Sequence, residues 1–198
     1  MKRSFEVKSD LAGTAWTRAL FSSLPDPDRE FILNGTTHQE IRTLAAGIRR
    51  LIGSADGDHD FLCLCSENKA LVAAAILAAL SGGPRLVFPY AFSRQAVADV
   101  QKTMSVSCVL ADGPGDFPPG MEIIFPDMLD RNDLQPEEFI GADEPFLMLF
   151  TGGSTGTPKV WAKTPRNMIE EARYMCTSFG IEEKDIFLAT VPPQHIYG

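Results

Sequence analysis

The stretch from Pro145 to Lys159 reads Pro-Phe-Leu-Met-Leu-Phe-Thr-Gly-Gly-Ser-Thr-Gly-Thr-Pro-Lys. Its first six residues form a short apolar run that is typical of a buried strand. Its last nine residues combine glycines, which let the backbone approach a ligand, with hydroxyl groups and a lysine that can donate hydrogen bonds to phosphate oxygens. The pattern therefore predicts a strand that leads into a polyphosphate-binding loop at one edge of a rigid sheet.

Two well-known phosphate-binding loops do not fit this stretch. The P-loop requires Gly-Lys followed by serine or threonine, whereas Lys159 lies between Pro158 and Val160. The dinucleotide-binding fingerprint requires glycines at i, i+2 and i+5, and Gly152 and Gly153 do not have that spacing. Both of these loop classes are excluded, and a plain glycine-rich turn is the remaining alternative to a ligand-binding loop.

The loop resembles the phosphate-binding motif of the acyl-adenylate-forming enzymes, which include acyl- and aryl-CoA synthetases, peptide-synthetase adenylation domains and luciferases. Their pattern is Thr-Ser-Gly-Ser-Thr-Gly-any-Pro-Lys-Gly. This sequence departs from it at Gly152, which replaces a serine, and at Val160, which replaces a glycine. The matching residues are Thr151, Gly153, Ser154, Thr155, Gly156, Pro158 and Lys159.

Three further segments extend the resemblance over about residues 30 to 198. Thr164 to Asn167 is similar to a Thr-His-Arg-Asn motif of the family, with Pro165 as the exception, and residues 61 to 89 are similar to its first strand-helix-strand unit. The last segment, 191 to 198, reads Val-Pro-Pro-Gln-His-Ile-Tyr-Gly and resembles the next family motif. In the family the histidine of that motif borders the acyl pocket and the path of the thiol. Judged without the family, a packed or surface imidazole is the favoured interpretation of His195.

The resemblance implies a ligase that works in two half-reactions. A carboxylic acid is activated by ATP as acyl-AMP, pyrophosphate leaves, and a thiol of coenzyme A or of a phosphopantetheine arm captures the acyl group. Lys159 and His195 are the implied catalytic residues, and no metal ligand is assigned, since the Mg²⁺ ligands of the family lie mostly beyond this chain. The implied phosphate-binding residues are Thr151, Gly152, Gly153, Ser154, Thr155, Gly156, Thr157 and Lys159.

The resemblance also bears on domain organisation and partners. Residues 1 to 198 would be part of the N-terminal AMP-binding domain, with the C-terminal lid domain absent, so we expect the chain alone to be inactive and to self-associate through exposed apolar surface. A small carboxylic acid is the implied substrate, and an acyl carrier protein is a candidate partner. Two other hypotheses remain. One is an adenylate-forming enzyme that passes the acyl group elsewhere, or an oxidative relative, and the other is a non-catalytic module that binds nucleotide phosphates or a protein partner.

Composition narrows the class of protein. With 44% hydrophobic residues the chain can bury a core, and a formal net charge of -8 argues against a nucleic-acid partner. The longest apolar run, Ala70 to Leu80, is too short to span a membrane, and the N-terminus lacks the apolar segment of a signal peptide. The cysteines lie in apolar runs without metal-ligand spacing, which predicts buried free thiols in a cytoplasmic protein. They are Cys63, Cys65, Cys108 and Cys176.

Strand and helix patterns alternate along the chain, which predicts an α/β fold with a largely parallel sheet flanked by helices, the first subdomain of the adenylate-forming N-terminal domain. Four aromatic residues, Trp16, Phe21, Phe31 and Phe146, are expected in the core. The predicted helices begin at caps Thr37, Ser66, Ser93 and Thr164. The predicted strands cover residues 61–65, 85–89, 106–111, 122–125, 145–150, 160–163 and 186–191.

Overall fold

The computed structural model describes residues 26–33, 35–51, 60–130, 139–152 and 158–193. A six-stranded sheet and four α-helices make up its regular structure. In chain order the elements are α1 (His38–Arg49), β1 (Phe61–Cys65), α2 (Lys69–Leu80), β2 (Arg85–Phe88), α3 (Arg94–Met104), β3 (Cys108–Ala111), β4 (Glu122–Ile124), a 3₁₀ turn (Pro126–Met128), β5 (Leu147–Thr151), β6 (Lys159–Lys163) and α4 (Pro165–Phe179).

The strand order across the sheet is β4-β3-β1-β2-β5-β6. The first five strands in this order pair in parallel, and β6 pairs antiparallel with β5. The prediction of an α/β fold with a mostly parallel sheet is therefore confirmed. Because β3 and β2 lie on opposite sides of β1, the chain changes direction across the sheet at β1.

Helices cover both faces of the sheet. On one face α1 and α2 pack against alternate strand residues such as Leu64, Phe88 and Leu149. On the other face α3 contributes Val97 and Val100 to a second core with the intervening strand residues. Burial on both faces explains why β1 and β3 are apolar throughout and why β2 and β5 carry a polar residue only at one end, instead of alternating with polar residues.

Three of the four predicted helix caps are confirmed, and the fourth is wrong. Thr37, Ser93 and Thr164 each accept a hydrogen bond from a backbone N–H in the first turn of their helices. The cap of α2 is Asn68, whose Oδ1 accepts from the N–H groups of residues 70 and 71, and not Ser66 as the sequence predicts. The hydroxyl of Ser66 is engaged elsewhere, because it donates to Asp112 at 2.5 Å.

The predicted strand over residues 186–191 is absent from the described structure, which shows no regular element there. Ile186, Phe187 and Leu188 are 75%, 69% and 87% exposed. A strand needs a neighbour to satisfy its backbone groups, and the described residues supply no strand beside this segment. Residues 186–188 are apolar, as a strand would require, but the described part of the chain does not bury them.

Two other burial predictions are corrected in part. Cys63, Cys65 and Cys108 are buried free thiols, and burial raises the pKa of Cys108 to about 12, but Cys176 is exposed. Phe146 is fully buried, whereas Phe31 is 44% exposed. Trp16 and Phe21 lie outside the described residues.

Helix α4 explains the exposure of Cys176, because only Pro165 of its residues is buried. Tyr174 and Phe179 on this helix are 68% and 70% exposed. Residues 186–188 are exposed apolar residues as well, and self-association through exposed apolar surface stays a prediction. None of the described helices is long and apolar enough to cross a membrane.

The turn between α2 and β2 yields a stability prediction. A Cβ added to Gly83 would lie 2.6 Å from the carbonyl oxygen of Ala78, so Gly83→Ala forces the backbone to shift. We expect it to lower the free energy of unfolding by about 1–3 kcal/mol. Gly113→Ala is the matched control, because a Cβ there meets no atom within 4 Å. Urea denaturation measures the free energy of unfolding of both variants. Equal losses in the two would contradict the close approach of Gly83 to Ala78 as the cause.

Candidate functional site

The glycine-rich loop closes the β5–β6 hairpin. Thr151 is the last residue of β5, Lys159 is the first residue of β6, and the two are paired in register. The hydroxyl of Thr151 donates to the carbonyl oxygen of Lys159 at 3.4 Å. The two ends of the loop are thus held together by the strand ladder.

The predicted site residues are only partly within the described structure. Thr151, Gly152 and Lys159 are described and lie together at the base of the loop. The loop residues Gly153, Ser154, Thr155, Gly156 and Thr157 lie outside the described residues, as does His195. Their assigned roles remain predictions.

The position of the hairpin in the sheet favours a ligand site. The strands β1, β2, β3 and β5 are parallel, so their carboxyl ends meet at one edge of the sheet. The loop leaves β5 at that edge. In open α/β sheets, ligands bind in the crevice outside the carboxyl ends of the strands.

Tyr90, which the sequence analysis did not single out, supports the start of the loop. It lies two residues after β2, and its ring is so close to Gly152 that a Cβ added there would be 3.5 Å from Cδ2. Its hydroxyl donates to Oδ2 of Asp99 at 2.8 Å, and Gln95 donates to the other carboxylate oxygen at 2.9 Å. The hydrogen bond to Asp99 raises the pKa of Tyr90, with a smaller contribution from burial. The ring beside the loop is therefore held from α3.

Asp112 joins the segments that follow β1 and β3. It follows β3 directly, and Ser66 follows β1 directly; the last residues of the two strands, Cys65 and Ala111, are paired in register. Besides accepting from Ser66, its carboxylate accepts from the backbone N–H groups of Glu67 at 3.0 Å and of residue 68 at 3.4 Å. The carboxylate thus binds backbone N–H groups that directly precede α2, whereas Asn68 satisfies the N–H groups of the first turn of the helix.

In the described structure, the Thr164–Asn167 segment starts helix α4 and connects it to a neighbouring segment. Thr164 and Asn167 form a reciprocal capping pair at the start of α4, with both hydrogen bonds at 3.2 Å. Arg166 forms a bidentate pair with Asp143 at 2.7 and 3.0 Å. This pair lowers the pKa of Asp143 and raises that of Arg166. Arg166 therefore ties α4 to the segment before β5.

Lys159 is an exposed cation at the mouth of the hairpin. Side chains alternate along a strand, so Lys159, Trp161 and Lys163 lie on the same face of β6. Lys163 ends the strand, roughly 13 Å away, and pairs with Glu171 at 3.4 Å. Of these two lysines, Lys159 alone is at the loop, where it can meet a bound anion.

Comparison with known proteins gives a family match over most of the chain. The family model described as "AMP-binding enzyme" matches residues 35–198. A curated relative, 2-succinylbenzoate–CoA ligase from Bacillus velezensis, is 30% identical over 69 residues, which cover 35% of this chain and 14% of the relative.

Solved structures show the same fold at low sequence identity. ATP-bound MatB from Rhodopseudomonas palustris matches with a TM-score of 0.73 and 17% identity, over 94% of this chain and 42% of that one. The o-succinylbenzoate CoA synthetase MenE from Bacillus subtilis, in complex with the acyl-adenylate intermediate OSB-AMP, matches with a TM-score of 0.70 and 19% identity, over 91% of this chain and 50% of that one. The chain thus spans half or less of the length of these relatives.

The carboxylate between β1 and β3 generates a prediction. Asp112→Ala leaves the buried Ser66 hydroxyl and the backbone N–H of Glu67 without their acceptor, so we expect the free energy of unfolding to fall by about 1–3 kcal/mol. Asp116→Ala is the control, since the ion pair of Asp116 with Arg94 is at the surface and should contribute less than about 1 kcal/mol. Chemical denaturation measures both, and a loss for Asp112→Ala no larger than that of the control would contradict the assigned role.

Proposed function

The chain belongs to the AMP-binding enzyme family, and from that premise we propose that it is the N-terminal part of an ATP-dependent acid ligase. The ligase activates a carboxylic acid as acyl-AMP and releases pyrophosphate. The observation that carries this proposal is the closure of the Thr-Gly-Gly-Ser-Thr-Gly-Thr-Pro-Lys loop by the pairing of Thr151 with Lys159 at the carboxyl edge of the sheet.

The chemistry of the first half-reaction matches the groups on this loop. A carboxylate oxygen attacks the α-phosphorus of ATP, a new P–O bond forms, and the bond to pyrophosphate breaks with its electron pair going to the departing oxygen. Negative charge therefore grows on pyrophosphate. The Lys159 cation and the hydroxyls of Thr151, Ser154, Thr155 and Thr157 are the donors that would stabilise it, together with backbone N–H groups.

Magnesium would accompany the phosphates of ATP and reduce their charge. The described residues contain no group of three side chains that could hold a metal ion, so we assign no protein ligand to it. In this proposal the loop of this chain binds phosphate oxygens directly and leaves metal coordination to other groups.

The second half-reaction is a transfer to a thiol, either of coenzyme A or of a phosphopantetheine arm on a carrier protein. The name of the curated relative, a CoA ligase, supports coenzyme A. We place His195 beside the acyl pocket and the thiol path. The free buried thiols of β1 and β3 support a cytoplasmic location.

Removal of the charge of Lys159 tests, in this chain, whether the loop binds phosphate groups. We expect Lys159→Ala to weaken pyrophosphate binding, measured by isothermal titration calorimetry, by about tenfold or more, because a hydrogen bond from a cation to an anion is lost. Lys163→Ala is the matched control: it removes the same charge from the same face of β6 at the far end of the strand, and should change the Kd by less than about twofold.

Equal weakening in both lysine variants would mean that only the net charge matters, and the proposed role of the loop would be wrong. Absence of any pyrophosphate binding by the unsubstituted chain would contradict a phosphate site within these residues.

His195 is tested in a polypeptide of the relatives' length that shows acid-dependent pyrophosphate exchange. His195→Ala should slow thioester formation or change acid selectivity and leave the affinity for ATP within about twofold, because the phosphates lie on the other loop. The two half-reactions are measured separately, with melting temperature as the control. A destabilised variant with both half-reactions unchanged would make His195 a structural residue.

A further inference from the structure

A cavity of about 320 Å³ lies between helices α1, α2 and α4, on the face of the sheet opposite α3. Its walls are almost entirely apolar. They include Ile41, Ala73, Ile76, Phe146, Met168 and Ile169. This volume is at the small end of the range for ligand pockets and is much larger than the voids of a packed core.

The cavity is distinct from the phosphate loop. Phe146 directly precedes β5 and Pro165 lies two residues after β6, so these wall residues are at the amino end of β5, whereas the loop is at its carboxyl end. The length of the strand places the two sites roughly 15 Å apart. A ligand in the cavity would not touch Thr151 or Lys159.

One end of the cavity is basic. His38 and Arg42 lie one helical turn apart on α1 and both line the cavity. Phe31 packs edge-on against the His38 ring, with the ring centroids 5.3 Å apart. Burial lowers the pKa of His38, and the positive charges of Arg29 and Arg42 lower it further. The imidazole is therefore neutral near neutral pH and can donate one hydrogen bond.

Arg29 and Arg42, the two arginines near His38, differ in whether they pair with a carboxylate. Arg29 donates hydrogen bonds to the side chain and the backbone carbonyl of Glu183. Arg42 forms no ion pair with a carboxylate within the described ranges. A guanidinium at the end of an apolar cavity gains a favourable interaction when an anionic group binds beside it.

We propose that this cavity binds an amphipathic monocarboxylate, with the apolar body between the three helices and the carboxylate at Arg42 and His38. The apolar walls disfavour a polyphosphate or a sugar, whose polar groups would lose their hydration without compensation. A purely apolar ligand would leave the basic end unused. The inference goes beyond the proposed function, because it concerns a second site that shares no residue with the phosphate loop.

Octanoate and octan-1-ol test the proposal with the full 198-residue chain, since they share the apolar body and differ in the carboxylate. By isothermal titration calorimetry at neutral pH, octanoate should bind, and octan-1-ol should bind at least about tenfold more weakly. Arg42→Gln should weaken octanoate binding by about tenfold and leave octan-1-ol binding unchanged. Arg94→Gln is the matched control: it removes the same charge from α3 on the opposite face, and should leave both affinities unchanged.

Two substitutions that fill the cavity from opposite walls complete the test. Ala73→Phe adds a ring from α2, and Ala172→Phe adds one from α4. Because Ala172 is exposed, we expect the second variant to fold even if the first does not. A folded filling variant should no longer bind octanoate detectably.

Five results would overturn the proposal: no octanoate binding by the unsubstituted chain, equal binding of octan-1-ol, no effect of Arg42→Gln, full binding by the folded Ala172→Phe variant, or loss of octanoate binding with Lys159→Ala. Lys159→Ala separates this site from the proposed acid ligase. Octanoate binding that is lost with Lys159→Ala would assign the ligand to the loop side instead, whereas failed pyrophosphate binding alone would leave the cavity proposal intact.

Discussion

The parallel pairing of β5 with β2 is the contact on which the rest of the described structure depends. It joins Leu86, Val87 and Phe88 to Leu147, Met148 and Leu149 in register. Because side chains alternate, β5 contributes to both cores, with Leu149 facing α1 and α2 and Met148 facing α3. The glycine-rich loop leaves one end of this strand, and the apolar cavity lies at the other end. A slip of one residue in the register would exchange the two faces and displace both sites.

Some charged side chains are paired within the fold, whereas others lie where a ligand could bind. The first kind has a structural role, and the second kind is a candidate for ligand binding. Asp112 accepts hydrogen bonds from Ser66 and from the backbone just before α2, and Asp143 forms two hydrogen bonds with Arg166. These groups have their partners in the fold and hold its elements together. Lys159 and Arg42 are different, because each lies at the mouth of a loop or cavity. An anion bound at either position would add a favourable interaction without breaking one already described.

The local elements were largely predictable because their signals lie within a few residues of sequence. The capping box at Thr37, the boundaries of α2 and the Thr164–Pro165 start of α4 all follow from short patterns. Asn68 was missed as a cap because two candidate residues stand close together, and the choice depends on Asp112, which is distant in sequence. The strand expected at residues 186–191 failed for a related reason, since a strand requires a neighbour as well as a suitable composition.

The sequence by itself determined the alternation of strands and helices, the phosphate-loop motif and its family. These features depend on residue type and spacing along the chain. Only the tertiary structure decided that Tyr90 lies against Gly152, that Asp112 reaches Ser66, and that His38 and Arg42 line a cavity with Phe146. Each of these contacts joins residues far apart in sequence, and they meet because parallel strands and the helices that connect them place those residues at the same edge or face of the sheet.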